Sequence, residues 1–159
     1  MQKHLLWLSL NVPERCSHER VDHMKILLTG SEGQLGSSLR ASLLTMLQSS
    51  SVELIATSRS GQDGLVALDL ADADACRTAV LDAQPDWVIN AGAYTAVDRA
   101  ETEPDLAHAV NALAPRAFAE ALAQTGGHLL QVSTDFVFNG RQSHPYKPEQ
   151  QIDPLGVYG

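Results

Sequence analysis

The sequence predicts an α/β protein built on a doubly wound parallel sheet, and three observations lead there. From Met24 onward, short apolar or β-branched runs alternate with longer stretches of helical periodicity, the order of successive βαβ units. The short runs are nearly all apolar, as strands are when both of their faces are covered. The first of them passes through Gly30, Gly33 and Gly36 directly into a helical pattern. That is the arrangement of a strand, a phosphate loop and a helix start.

Each element has its own reason. Residues 25–29 form the first apolar run, and residues 34–47 follow with Leu35, Leu39, Leu43 and Leu47 at steps of four, one face of a helix. Runs at 52–57 and 65–68 supply the next two strands. A helix is expected over 73–83, capped by Asp72 and ended by Pro85. A strand at 87–90 precedes one long Ala-rich helix over 104–124, which Gly126 and Gly127 stop. The last strand is expected at 128–133. From 136 to 154 periodicity fails, and Gly140, Pro145, Pro148 and Pro154 mark a long loop of the kind that is usually functional or disordered.

Residues 1–23 carry no such pattern. Lys3 and His4 precede a short apolar patch at 5–10, and no A-x-A-like cleavage site follows before a charged stretch. The expectation is a mobile appendage ahead of a natural start at Met24.

Composition narrows the partners. The 159 residues are 44% hydrophobic and 19% charged, a globular balance, with 11 Lys plus Arg against 19 Asp plus Glu and a formal charge of −8. Such a chain repels nucleic acid and anionic membranes, so neither is expected as a partner. Cys16 and Cys76 show no CxxC or Cys/His spacing, which suits a reduced cytoplasmic protein. No run reaches the roughly 18 apolar residues of a membrane span. His108, His128 and His144 stand alone without metal-ligand spacing, so no metal site is expected, and His128 reads as structural at a strand start. Asp98, Glu101, Glu103 and Asp105 precede the long helix, and their simplest account is favourable charge near its N-terminus.

The loop explains how an acidic protein holds a dinucleotide in a Rossmann-type fold. Gly30 permits the tight turn, Gly33 lets the backbone approach a pyrophosphate, and Gly36 allows close packing of helix on strand. Free N–H groups and the positive end of the helix dipole then hold the anion. Glu32, Gln34 and Leu35 complete the candidate loop. Where NAD-binding units carry an acid after the second strand, this chain reads Thr57, Ser58, Arg59, Ser60. A cation with hydroxyls suits a 2′-phosphate, so NADPH is expected in preference to NADH; the plainer reading of Arg59 is a solvated surface charge.

Five segments, TGSEGQLG at 29–36, NAGAYTAVDRAE at 90–101, VNALAP at 110–115, STDFVFNG at 133–140 and PLGVYG at 154–159, make the chain resemble the dTDP-4-dehydrorhamnose reductases. These belong to the extended short-chain dehydrogenase/reductase group. The resemblance implies NADPH-dependent reduction of the 4-keto group of dTDP-4-dehydro-6-deoxy-L-mannose to dTDP-L-rhamnose, with a dTDP-linked keto sugar as substrate, and it leaves room for a homodimer of the intact protein. Carried over by motif, Tyr158 of the YxxxK motif and Thr134 of the STD motif, with Ser133 adjacent, are the catalytic candidates. Asp69 and Leu70 would lie by the adenine, Ala91, Gly92, Ala93 and Tyr94 would follow the cofactor, and Asn111 would help order the site. Phe136 departs from a Tyr common in the family, which removes any contact made by that hydroxyl.

Ketone reduction needs a hydride on carbon and a proton on oxygen, and the cofactor supplies only the hydride. Tyr158 is the expected proton donor and Thr134 Oγ the group that holds the carbonyl oxygen. A free Tyr has a pKa of about 10, so an efficient acid at neutral pH needs a cation nearby. The Lys of the motif would fall three residues past Gly159, the last residue of the sequence. The expectation is therefore a dinucleotide-binding domain over 24–159, with a sheet incomplete at its C-terminus and the rest of the sugar-nucleotide site beyond it. Other readings stay open. Tyr158 could be a half-buried aromatic and Thr134 a strand-end hydroxyl serving the backbone; the protein could be a non-catalytic nucleotide-binding regulatory subunit, or an inactive fragment of a sugar-nucleotide reductase or epimerase.

Overall fold

A computed structural model of the chain describes residues 23–47 and 52–159; the expected N-terminal appendage, as far as residue 22, lies outside them. Five parallel strands form one sheet in the order β3-β2-β1-β4-β5, the strand order of dinucleotide-binding sheets. They are β1 (Met24–Thr29), β2 (Val52–Ser58), β3 (Val66–Ala67), β4 (Trp87–Asn90) and β5 (His128–Gln131). The helices are α1 (Gln34–Leu47), α2 (Ala73–Ala83), α3 (Val97–Ala100), α4 (Pro104–His108) and α5 (Ala114–Thr125).

Period-two alternation divides the sheet into two unlike faces. Leu27 and Val88 point to one face, where α2 and α5 pack against each other and close a core containing Cys76, Val80, Phe118, Ala121 and Leu122. Burial, with Asp72 and Asp69 adding to it, pushes the Cys76 thiol up to about 12. It is an apolar filler, not a nucleophile. The β4/β5 half of the other face carries the register pairs Trp87 with His128 and Ile89 with Leu130. None of these four is buried, and Trp87 is 39% exposed. The ring of His128 lies 4.9 Å from that of Trp87, so this histidine has a packing partner.

Helix α2 matches its expected limits for the expected reasons. Asp72 accepts from Asp74 N–H at 3.0 Å and Ala75 N–H at 2.9 Å, and Gln84 in the left-handed region closes the helix before Pro85.

Three expectations are corrected. The strand at 65–68 shrinks to two residues, because Asp63 and Gly64 turn with positive φ just before it. The strand at 128–133 ends at Gln131, whose side chain turns onward to donate to Val132 C=O at 2.8 Å. The long helix over 104–124 is not uniform. A short helix, α3, precedes it, and between α4 and α5 the chain widens into a π-helical turn over Ala109–Leu113. Pro115 lies just past that turn and has no N–H to give to the carbonyl four residues back. A widened turn is a regular way to accommodate it.

Candidate active site

The carboxyl ends of β1, β4 and β5 meet at the crevice where such sheets bind ligands, and the sequence builds that edge from small and polar residues. Gly30 takes φ +62°, and a Cβ there would sit 2.5 Å from Gly92 Cα. A Cβ on Gly36 would collide with Gly30 C=O. These two positions set how closely α1 and the β4 loop approach the turn, and only glycine satisfies either. Gly33 differs: the nearest atom to its Cβ position is Gly30 O at 3.3 Å, and its outer side is open. Ser31 turns inward, donating from N–H to Thr57 C=O at 3.1 Å and from Oγ to Leu28 C=O at 3.2 Å. Glu32, Gln34 and Leu35 are exposed at the mouth. The first turn of α1 contains no acidic residue, although Glu32 is exposed two residues before it, and the opening N–H groups of an α-helix have no acceptor within the helix. That set of donors and the open side of Gly33 fit a pyrophosphate.

At the end of β2, Ser58 is buried and its Oγ accepts from Gly61 N–H at 3.1 Å, so this hydroxyl already shapes the loop. Arg59 is exposed and forms no ion pair among the described residues. Asp69 is also exposed, and its Oδ1 accepts from Ala71 N–H at 2.9 Å. Leu70 Cδ1 occupies the space a side chain on Gly92 would need, which brings the loop after β3 beside that after β4.

A buried polar chain runs beneath these loops. Gly92 N–H donates to Thr29 Oγ1 at 3.2 Å, Thr29 Oγ1 donates to Asn90 Oδ1, and Asn90 Nδ2 donates to Gln131 Oε1 at 2.7 Å. Thr29 and Asn90 are fully buried. Each bond points the same way, so the three strand ends are tied to one another and to the loop with every donor matched. Sequence reasoning placed Gly92 but missed Thr29, Asn90 and Gln131 as a group. The available signal was a polar residue at or near the end of the apolar runs that become β1, β4 and β5.

Tyr94 is held twice. Its backbone N–H donates to Asn111 Oδ1 at 2.9 Å, and Asn111 Nδ2 returns a bond to Tyr94 C=O at 2.9 Å. Asn111 lies in the π-helical turn, a place where such turns often serve a site. The Tyr94 phenol donates to Glu103 Oε2 at 2.6 Å, while Arg99 pairs with Glu103 Oε1 at 2.5 Å. The Glu103 bond holds the phenol above its ordinary pKa, and Arg99 first, then Tyr94, hold the carboxyl of Glu103 below its own. Tyr94 is therefore the wrong tyrosine for a proton donor. The acidic cluster is also more specific than helix-end charge: Asp98 and Asp105 do sit in first helical turns, but Glu103 takes two side-chain partners and Glu101 Oε1 accepts Val157 N–H at 2.8 Å.

Thr134 is extended, and its Oγ1 accepts from Phe136 N–H at 3.2 Å, capping a 3-10 turn over Asp135–Val137. Its own proton points to Asp135 Oδ1 at 3.3 Å. Ser133 beside it is exposed. Phe136 packs edge-on against Tyr158, ring centres 5.4 Å apart. Tyr158 lines a cavity of about 460 Å³ together with His108, Asn111 and Val157. The chain thus brings Asn111 and Tyr158 to one cavity and Thr134 within two residues of the Tyr158 contact. No hydrogen bond joins Thr134 to Tyr158 among the described residues. Among those residues there is also no cluster of His, Cys, Asp or Glu arranged to hold a metal, and no helix long and apolar enough to cross a membrane.

Comparison with known proteins agrees with this geometry. The family model described as RmlD substrate binding domain matches residues 24–159. A dTDP-4-dehydrorhamnose reductase of Streptomyces griseus is 41% identical over 133 residues, covering 84% of this chain and 40% of the relative. Among solved structures, a dTDP-4-dehydrorhamnose reductase from Clostridium acetobutylicum is 34% identical with TM-score 0.73, covering 86% of this chain and 45% of that one. One from Bacillus anthracis, solved in complex with NADP, is 28% identical with TM-score 0.74 over 88% of this chain and 46% of that one. The chain spans less than half the length of these relatives. With one family model matched across all five strands, and with the glycine turn, the β4 loop and the Tyr158 segment in one structure, this chain belongs to the dTDP-4-dehydrorhamnose reductase family.

Proposed function

We propose that the intact protein reduces the 4-keto group of dTDP-4-dehydro-6-deoxy-L-mannose to give dTDP-L-rhamnose, with NADPH as reductant. The observation that carries the reading is the double placement of Asn111. It clasps the backbone of Tyr94 on the candidate cofactor loop and lines the same cavity as Tyr158, so the hydride side and the proton side of a carbonyl reduction share one anchor.

A bound nicotinamide supplies the hydride that reaches C4 of the sugar. This chain's residues do the rest. The α1 N-terminus and Gly33 receive the pyrophosphate, with Gly30 and Gly36 holding the turn. Leu70 and Asp69 flank the adenine side, residues 91–94 line the cleft, and Arg59 with the Ser58–Ser60 turn faces a 2′-phosphate. Thr134 keeps its bond from Phe136 N–H and swings its proton from Asp135 to the carbonyl oxygen, which a hydroxyl with one donor and two acceptor sites permits. Tyr158 gives its phenolic proton to that oxygen as the C4–H bond forms, leaving a hydroxyl on the sugar.

The test is the loss of reduced-nicotinamide absorbance with the dTDP-keto sugar. Tyr158→Phe is expected to abolish turnover and leave NADPH binding intact; retained turnover removes Tyr158 as the acid. Titration with both cofactors tests the Arg59 reading, and NADH affinity equal to or better than that for NADPH refutes it.

A further inference from the structure

We infer that Glu101 is a positioning residue for Tyr158, acting through the backbone just before it. The inference rests on the reading of Tyr158 as the proton donor. Glu101 is exposed at the end of α3, where the only account that sequence offers is general helix-end charge. The structure gives its carboxylate one directed partner instead: Oε1 accepts Val157 N–H at 2.8 Å, across 56 residues of sequence.

The neighbouring residue is cut to fit. A Cβ on Gly156 would stand 2.7 Å from the same Oε1, so a side chain there would require the end of Glu101 to shift away from its present position. On the far side of Tyr158, a Cβ on Gly159 would collide with Phe136 C=O, and the Phe136 ring lies edge-on to the phenol. The segment is thus fixed from two sides, by Phe136 and by Glu101.

Glu101 can act as a fixed point because its own turn is rigid. Thr102 N–H, Glu103 N–H and Thr102 Oγ1 all converge on Arg99 C=O, at 3.0, 2.9 and 3.0 Å. Two residues on, Glu103 holds the phenol of Tyr94, whose backbone Asn111 clasps. One short turn therefore grips the loop after β4 with Glu103 and the Tyr158 segment with Glu101. In a reduction that delivers hydride and proton to adjacent atoms, the separation of those two pieces matters, since a misplacement of about 1 Å can cost a hundredfold in rate.

The experiment compares Glu101→Ala, Glu101→Gln and Tyr158→Phe in the intact enzyme. It measures kcat, NADPH dissociation constant and amide exchange of the peptide spanning 155–159. Alanine removes the acceptor and is expected to lower kcat about tenfold, to speed exchange in that peptide, and to leave NADPH affinity unchanged. Glutamine keeps a carbonyl acceptor and is expected to restore both kcat and protection. Gly156→Ala, which retains Glu101 but crowds it, is expected to slow turnover like the alanine variant and stands in for it should that protein not fold. Unchanged exchange in Glu101→Ala overturns the inference whatever Tyr158 does. Faster exchange with unchanged kcat, or glutamine as slow as alanine, overturns it too. An active Tyr158→Phe instead removes the proton-donor reading and with it the catalytic meaning of the contact.

Discussion

Replacing Asn90 by Leu removes the middle link of the buried polar chain while keeping side-chain volume nearly constant. Thr29 Oγ1 then has no acceptor for its proton, and Gln131 Oε1 loses its donor. A buried group left unpaired costs about 1–3 kcal/mol. Thr29 is at 0% exposure and bears that cost in full, whereas half-buried Gln131 recovers part of it from water, so the expected loss is about 2–4 kcal/mol. Thr29→Val breaks the same chain one link earlier and strands Gly92 N–H. Because both substitutions break the Thr29–Asn90 bond, the double variant is expected to cost at least about 1 kcal/mol less than the sum of the two. Urea unfolding followed by far-UV circular dichroism measures this as a shift of midpoint at constant slope. A loss below about 0.5 kcal/mol for Asn90→Leu, or strict additivity in the double variant, refutes the claim that these residues form one coupled unit.

Gly33 and Gly36 are expected to separate folding from binding. Gly36→Ala drives a methyl into Gly30 C=O and should lower stability by about 1–3 kcal/mol. Gly33→Ala meets only one atom, at 3.3 Å, so the unfolding midpoint should hold while NADPH affinity, read by fluorescence titration, falls; equal effects on both readouts would contradict the assignment. The Tyr94 phenol is raised above 10.0, so a phenolate titration of wild type minus Tyr94→Phe should show a midpoint above that value, and Glu103→Gln should bring it back down. A phenol whose folded pKa is raised contributes stability below its unfolded pKa and loses it as pH climbs through the folded value. The Tyr94 contribution should therefore fade only in the alkaline range, and a midpoint at or below 10 would count against the Glu103 bond.

Local chemistry made much of this legible from sequence. The limits of α1 and α2 follow from leucine spacing, an Asp cap and a proline stop, all encoded within a few residues. The glycine turn was equally readable, since Gly36 answers to a collision with the nearby Gly30 backbone and Gly30 to one with the loop after β4. What escaped depends on partners far apart in the chain. Thr29, Asn90 and Gln131 look like ordinary strand ends until the strand order brings them side by side. Glu101 and Glu103 look like helix-end charge until Val157, Tyr94 and Arg99 are placed. The π-helical turn was hidden because residues 104–124 satisfy helical periodicity almost everywhere, and Pro115 alone betrays the interruption. Thr134 and Tyr158 were nominated by motif, and the structure adds the Phe136 contact that relates them.

That widened turn sets the phase of everything after it. One additional residue in a helical path advances the following face by about 100°. Within the widened turn Asn111 addresses Tyr94, and downstream Ala117, Phe118, Ala121 and Leu122 address the sheet. A straight helix with the same composition could satisfy only one of those two directions. Deleting a single residue from Ala109–Leu113 would turn α5 against α4 like a misaligned key, forcing the chain to choose between a packed core and a clasped loop.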